Sequence, residues 1–229
     1  MKVVDNFILD KQGYRNARFI RIEPEDLSVT LSQIISTLMD LSWLSKFKES
    51  FEIDASTQFA NLSLMSSIVL SALDLNASVT SDAGEYVVSV LSREALINEL
   101  NYLDIPLAEL LGKKKSGNPG FDFHSQNLVT DTIIFGEAKY VATRTAYSSA
   151  LPQIVDFINE KKDLEDLPDL KPFCTTSALD KASKGQKGFA AAFSARRTKT
   201  QEIIDNIIKR SDFQSLVKHE EVILLAVNI

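Results

Sequence analysis

The stretch PGFDFHSQNLVTDTIIFGEAKYVA, residues 119–142, places Asp122, Glu137 and Lys139 among residues that otherwise read as core. Two carboxylates and an ammonium at this spacing can do chemistry if the chain folds into a hairpin. Side chains alternate along a strand, so Ile133, Phe135, Glu137, Lys139 and Val141 share one face. Glu137 and Lys139 are then ~7 Å apart along the strand. On the preceding strand Asp122 and His124 share a face, and Phe121 and Phe123 share the other. A turn centred on Val129 and Thr130 brings Asp122 opposite Glu137. Converging carboxylates repel unless a cation sits between them, and one lysine compensates only one charge. An oxygen-only donor set suits Mg²⁺, which binds through one or two carboxylates, waters and often a substrate phosphate. The pattern points to metal-assisted hydrolysis of a phosphodiester. Asp122 and Glu137 would hold Mg²⁺ or Mn²⁺, with the Ala138 carbonyl as a further donor. The ion would lower the pKa of a bound water. Lys139 would orient or deprotonate that water, or stabilise the transition state.

Periodicity gives the elements that must position these residues. ARFIRIE, residues 17–23, reads as a short strand. Pro24 suits a helix start, and LSVTLSQIISTLMDLSWL has helical spacing of apolar residues. Residues 46–80 mix Ser, Asn and β-branched residues and fit neither pattern. Ser81 or Asp82 can cap a helix through GEYVVSVLSREALINEL. A break follows at residues 104–106, then a short helix over LAELLG. Gly112, Gly117, Gly120 and Gly136 are half of the eight glycines, which suggests tight turns or backbone close to a ligand. Strands over 120–125 and 132–142 flank the polar turn SQNLVTD. A helix within 145–162 must start, restart or kink at Pro152. Residues 163–200 read as a long irregular connection. QEIIDNIIKRSDFQSLVK reads as one amphipathic helix and EVILLAVNI as a closing buried strand. This mixture gives an α/β or α+β order.

Gly-Phe-Asp, a strand turn, then a hydrophobic strand ending Glu-Ala-Lys resembles the PD-(D/E)XK nuclease superfamily. The resemblance covers about residues 82–162. It implies that Asp122, Glu137 and Lys139 form a metal-dependent nuclease centre. Phe121 stands where the motif carries Pro, a position that varies. In the family an acid from an earlier helix often completes the site, and Glu85 resembles it. The following helix often adds Gln or Tyr, which makes Gln153 and Tyr147 accessory candidates. The implied fold is α/β: a restriction-endonuclease-like core, with a mixed central sheet flanked by helices. Residues 81–229 would be that core, and 1–80 an N-terminal extension packed on it. Within the superfamily, the layout looks like the nuclease subunit of the two-component Hachiman anti-phage system. That likeness implies a DNA substrate and a helicase partner. The chain itself carries no GxxxxGK[ST] motif.

Two other acid-x-Lys triplets, Glu160-Lys161-Lys162 and Asp169-Leu170-Lys171, lie in polar segments without an upstream strand acid. A buried structural ion pair in an unrelated α/β protein is the alternative, and it needs good geometry to offset desolvation. A non-enzymatic interaction domain and a hydrolase of a small phosphoester are the other readings. The formal net charge is −6, which argues against indiscriminate nucleic-acid binding by the whole surface. Lys181 to Lys199 nevertheless holds six basic residues and no acid. Lys184, Lys187, Arg196 and Arg197 there, and Lys113, Lys114 and Lys115 earlier, are candidates for phosphate contact. A solvated loop is the plainer reading. The segment Gly185–Gly188 could be a mobile DNA-contacting loop or a linker.

His124 could touch the metal's water shell or simply be a strand histidine. His219 reads as a helix C-terminal residue favourable with the dipole. Trp43 and most of the 13 phenylalanines read as core. The single cysteine, Cys174, forms no intrachain disulfide and has no nearby His, which fits a reducing, cytoplasmic setting. MKVVDNFILD is a poor signal peptide, and FANLSLMSSIVLSALDL is too polar to span a membrane.

Overall fold

The computed structural model describes residues 1–26, 29–30, 32, 81–105, 120–196 and 198–229. In chain order the strands are β1 (Lys2–Leu9), β2 (Tyr14–Glu23), β3 (Leu103–Asp104), β4 (Phe123–Asn127), β5 (Thr132–Lys139), β6 (Gly188–Ala195) and β7 (Glu221–Asn228). The helices are α1 (Ser81–Leu100), α2 (Tyr147–Asn159), α3 (Lys162–Glu165), α4 (Leu167–Leu170), α5 (Thr176–Ser183), α6 (Thr200–Ile207) and α7 (Ser211–Leu216). The fold is α/β, with one mixed sheet of seven described strands in the order β1-β2-β7-β6-β5-β4-β3.

The centre of the sheet is parallel. β2, β7, β6 and β5 run in one direction, while β1, β4 and β3 add antiparallel edges. Parallel strands are covered on both faces and so read as continuous apolar runs. FAAAFSA in β6 and VILLAV in β7 are such runs, and both are buried throughout. Alternate residues then go to opposite layers. Phe135, Phe189, Phe193 and Leu224 pack against α2, α6 and α7. Ile134, Ala138, Ala192 and Leu225 pack against Tyr86, Val87 and Leu91 of α1.

Several sequence expectations change here. Residues 2–23 are not an extension laid on a core: they supply β1 and β2 of the same sheet, and β2 pairs with β7. The irregular connection expected over 163–200 contains α3, α4, α5 and the central strand β6. Alanine favours helix and lacks the β-branching that marks strands, so GFAAAFSA gave no strand signal. Burial between β5 and β7 decides its state. The segment 185–188 is a tight connection: Gly185 has φ 90°, and Gly188 already belongs to β6. The single helix expected over 201–218 is two, broken at an extended Arg210 whose guanidinium pairs with Asp212. Pro152 lies inside α2 without ending it. Of the helix expected over 27–44, Val29, Thr30 and Ser32 are described and are helical. Trp43, residues 46–80 and LAELLG lie outside the described residues.

Candidate functional site

The acids gather at the C-terminal end of β5. The β4–β5 register pairs Phe123 with Gly136, and Asp122, one residue before β4, lies close enough to act on Glu137. Asn127 ends β4 and closes the turn by accepting from the Val129 and Thr130 amides at 3.0 and 3.3 Å. The turn therefore centres where the sequence placed it. The Asp122 amide donates to the Gly136 carbonyl, and Asp122 Oδ2 accepts from the Ala138 amide, both at 2.8 Å. The chain bends at Asp122, so strict alternation starts only with β4. Phe121 and Phe123 consequently face opposite layers instead of sharing one.

Two glycines permit close approaches around the site. A Cβ on Gly136 would stand 2.3 Å from the Phe123 ring, so Phe123 can lie across β5. A Cβ on Gly84 would stand 2.3 Å from the Tyr140 ring. That contact draws the start of α1 against the end of β5, and the next residue, Glu85, reaches Lys139. Lys139 Nζ lies 3.2 Å from Glu85 Oε2 and 2.8 Å from Glu137 Oε1. The expected helix acid thus joins the strand residues.

Among the described residues, the Lys139 ammonium faces the carboxylates of Glu137, Asp122 and Glu85. Glu137 is 1% exposed and Asp122 8%. Burial chiefly, then Asp122, holds the Glu137 carboxyl well above its ordinary range, and Lys139 only partly opposes this. Burial pushes the Lys139 ammonium down, but Glu137, Asp122 and Glu85 more than offset it and hold it above its usual value. The two shifts compete, because a protonated Glu137 no longer holds Lys139. Asp122 and Glu85 still face the ammonium, so Lys139 stays charged in either state.

Glu137 Oε2 is buried without a hydrogen-bond partner. Leaving such an oxygen unpaired costs about 1–3 kcal/mol, and more for a charged group. A hard cation between Asp122 and Glu137 would relieve both that cost and the repulsion. Among the described residues no group of three or more His, Cys, Asp or Glu is placed to hold a metal. The fit to Mg²⁺ or Mn²⁺ rests on two carboxylates and the Ala138 carbonyl, a set of the size Mg²⁺ commonly uses.

Other candidates fall elsewhere. His124 Nε2 pairs with Asp166 Oδ2 at 3.0 Å, and its ring packs on Phe121 and Phe135. It is a core strand histidine. Tyr147 meets the Phe193 ring edge-on at 5.9 Å. Gln153 is half-buried, one turn before Phe157, whose ring meets Phe121 at 5.3 Å. Neither Tyr147 nor Gln153 hydrogen-bonds to the acids. Lys187 is not available to a phosphate: it is buried and ion-paired with Asp163. Lys184 pairs with Asp180 at 2.6 Å near the N-terminal end of β6, away from the acids. Arg196 is exposed. Lys113, Lys114, Lys115 and Arg197 lie outside the described residues.

His219 does not act as a charged helix end. Burial and nearby Lys187 push its pKa down, and its ring packs edge-on against Phe189 at 4.8 Å. Burial pushes the Cys174 thiol up to about 12, which makes it inert. Sequence reasoning missed the Ala138 amide that fixes Asp122, since a backbone donor leaves no residue-type signal.

No protein-family model, curated protein or solved structure matches the chain.

Proposed function

We propose that this protein is a Mg²⁺-dependent nuclease hydrolysing DNA phosphodiester bonds, on a restriction-endonuclease-like core of the PD-(D/E)XK type. In this reading it is the effector subunit of a prokaryotic anti-phage complex, as its likeness to the Hachiman nuclease suggests, and works with a helicase partner. One observation carries the chemistry. Glu137 is buried with one oxygen unpartnered, beside Asp122 across the hairpin and Lys139 two residues on. A purely structural ion pair satisfies both carboxylate oxygens, whereas Glu137 Oε2 has no partner. The element order supports the reading too: the α1 acid, the hairpin acids and the lysine meet at the C-terminal end of β5.

Asp122 and Glu137 would hold the ion. When bound, it supplies a water of lowered pKa and neutralises charge on the phosphate. The chain's own residues do the positioning. The Ala138 amide fixes one Asp122 oxygen. Glu85 holds the Lys139 ammonium from the helix side, which leaves Lys139 to orient the attacking water or face the developing phosphate charge. The chain's acidic balance supports a partner that delivers DNA.

The test is cleavage of supercoiled and linear DNA with Mg²⁺. Cleavage lost with EDTA, in Glu137→Ala and in Lys139→Ala is the expected result. Cleavage that survives EDTA or both substitutions would sink the assignment. If the isolated chain cuts tightly bound DNA at physiological salt, the partner-delivery part fails.

A further inference from the structure

We propose that the loops leaving β5 and β6 form one cationic shelf that grips nucleic-acid phosphates beside the bond to be cut, with Arg144 and Arg196 as its contacts. Its place beside a scissile bond rests on the nuclease reading; the shelf itself rests on the strand order and loop contacts. β5 and β6 are parallel, and Lys139 pairs with Phe193, so both following loops emerge at the acidic end of the sheet. Arg196 lies three residues past Phe193, ~10 Å along the strand direction. That is a span of roughly three nucleotides along one strand.

The two loops are tied together. The Ala146 amide donates to the Ser194 carbonyl at 3.0 Å, and the Val141 amide to Ser194 Oγ at 3.0 Å. The Arg196 amide donates to Thr145 Oγ1 at 3.4 Å. Buried Arg21 anchors the second loop from below, donating to the Arg196 and Thr198 carbonyls at 2.9 and 2.7 Å. Those carbonyls point inward, and the Arg196 side chain is exposed. Arg144 is exposed as well and, among the described residues, bonds to the Ser148 and Ser149 hydroxyls.

Neither Arg144 nor Arg196 has a carboxylate partner among the described residues, in a chain of net charge −6. No acid occurs from Tyr140 to Val155 or from Lys181 to Gln201. Two tied loops that carry no acid of their own, next to recessed carboxylates, fit a polyanion that can enter. It does not fit a bilayer: the described exposed large apolar residues lie elsewhere, such as Phe7 and Ile8 on β1 and Val129 in the β4–β5 turn.

The experiment is anisotropy of labelled duplex and single-stranded DNA in EDTA, titrated with KCl. EDTA separates binding from cleavage. Arg144→Ala and Arg196→Ala should each make the log–log salt slope shallower by about 0.9 on duplex, or about 0.7 on single strand. Arg144→Lys and Arg196→Lys should keep the slope, since a point charge remains. Lys184→Ala, at the opposite sheet end, should leave it unchanged. The shelf is overturned if wild type binds neither strand, if both alanine variants keep its slope, or if Lys184→Ala shifts it equally. It is also overturned if the two arginines serve binding to anionic phospholipid vesicles and not to DNA. Slope changes without Mg²⁺-dependent cleavage would uphold the shelf and refute the nuclease. Cleavage with unchanged slopes would do the reverse.

Discussion

The backbone amide of Ala138 donates to Asp122 Oδ2 at 2.8 Å, so the residue between Glu137 and Lys139 fixes the carboxylate across the hairpin. One strand end therefore carries an acid, a lysine and the anchor of the second acid. Slipping the hairpin register by one residue would turn these groups to the wrong faces. The site is built by the pairing itself.

Glu137 links the site to pH. Its carboxyl is raised in the folded state from an ordinary value of 4.5, mainly by burial. The folded protein then holds a proton that the unfolded chain has released. Stability from this group is complete below about pH 4.5 and falls as pH rises toward the folded pKa. In EDTA, Glu137→Gln should flatten that fall and raise the melting temperature at neutral pH. A gain of 1 kcal/mol corresponds to about 2–4 °C at this size. A melting temperature lowered by the substitution at neutral pH would show that the charged form is stabilised instead.

The Lys139 ammonium faces three carboxylates, those of Glu137, Asp122 and Glu85. Removing one partner of a buried pair costs about 3–5 kcal/mol. Side-chain exposure of 17% for Lys139 and 31% for Glu85 puts Lys139→Met near the lower end, about 3 kcal/mol. Adding Glu137→Gln should recover much of that loss, because the pair acts as a unit. Additive losses in a denaturant double-mutant cycle would show that the two do not interact.

Gly84→Ala tests positioning without touching a charge. The new methyl would displace the Tyr140 ring, which it would otherwise meet at 2.3 Å. Overpacking of this kind costs about 1–3 kcal/mol, against ~1 kcal/mol gained in helix propensity. Glu85 should move off Lys139, and cleavage should drop although every acid remains. Unchanged cleavage and melting temperature would mean that α1 does not set the site.

Lys187 and Asp163 should matter to stability alone. Both are buried and paired, far along β6 from the acids. Lys187→Met should cost about 3–5 kcal/mol, and a Lys187→Met, Asp163→Leu double substitution should recover most of it. The salt slope of DNA binding should not change in the folded double variant. A shallower slope would return Lys187 to the binding surface.

The hairpin was legible because alternation, a polar turn and a fixed centre specify register. Its acids and its lysine converge as their spacing implied, and Glu85 reaches Lys139 as the family resemblance implied. Of the two readings of His124, the strand histidine holds, and its partner Asp166, 42 residues away, left no local signal. Lys187 misled for a related reason: a basic run looks solvated until a buried acid from another element meets it. β6 was hidden because its alanines are strand residues only through their burial. β1 and β2 joined the sheet through β7, at the far end of the chain, a pairing that no local pattern encodes.

The most direct measurement is Mn²⁺ binding to the metal-free protein, by titration calorimetry with Mg²⁺ as competitor. Wild type should bind Mn²⁺, Mg²⁺ should displace it, and both Asp122→Asn and Glu137→Gln should lose it. Losing a group that only orients a metal ligand weakens affinity by about 10–100-fold, and losing the ligand itself should exceed that. Equal binding in all three proteins, or none in wild type, would contradict a metal site between Asp122 and Glu137.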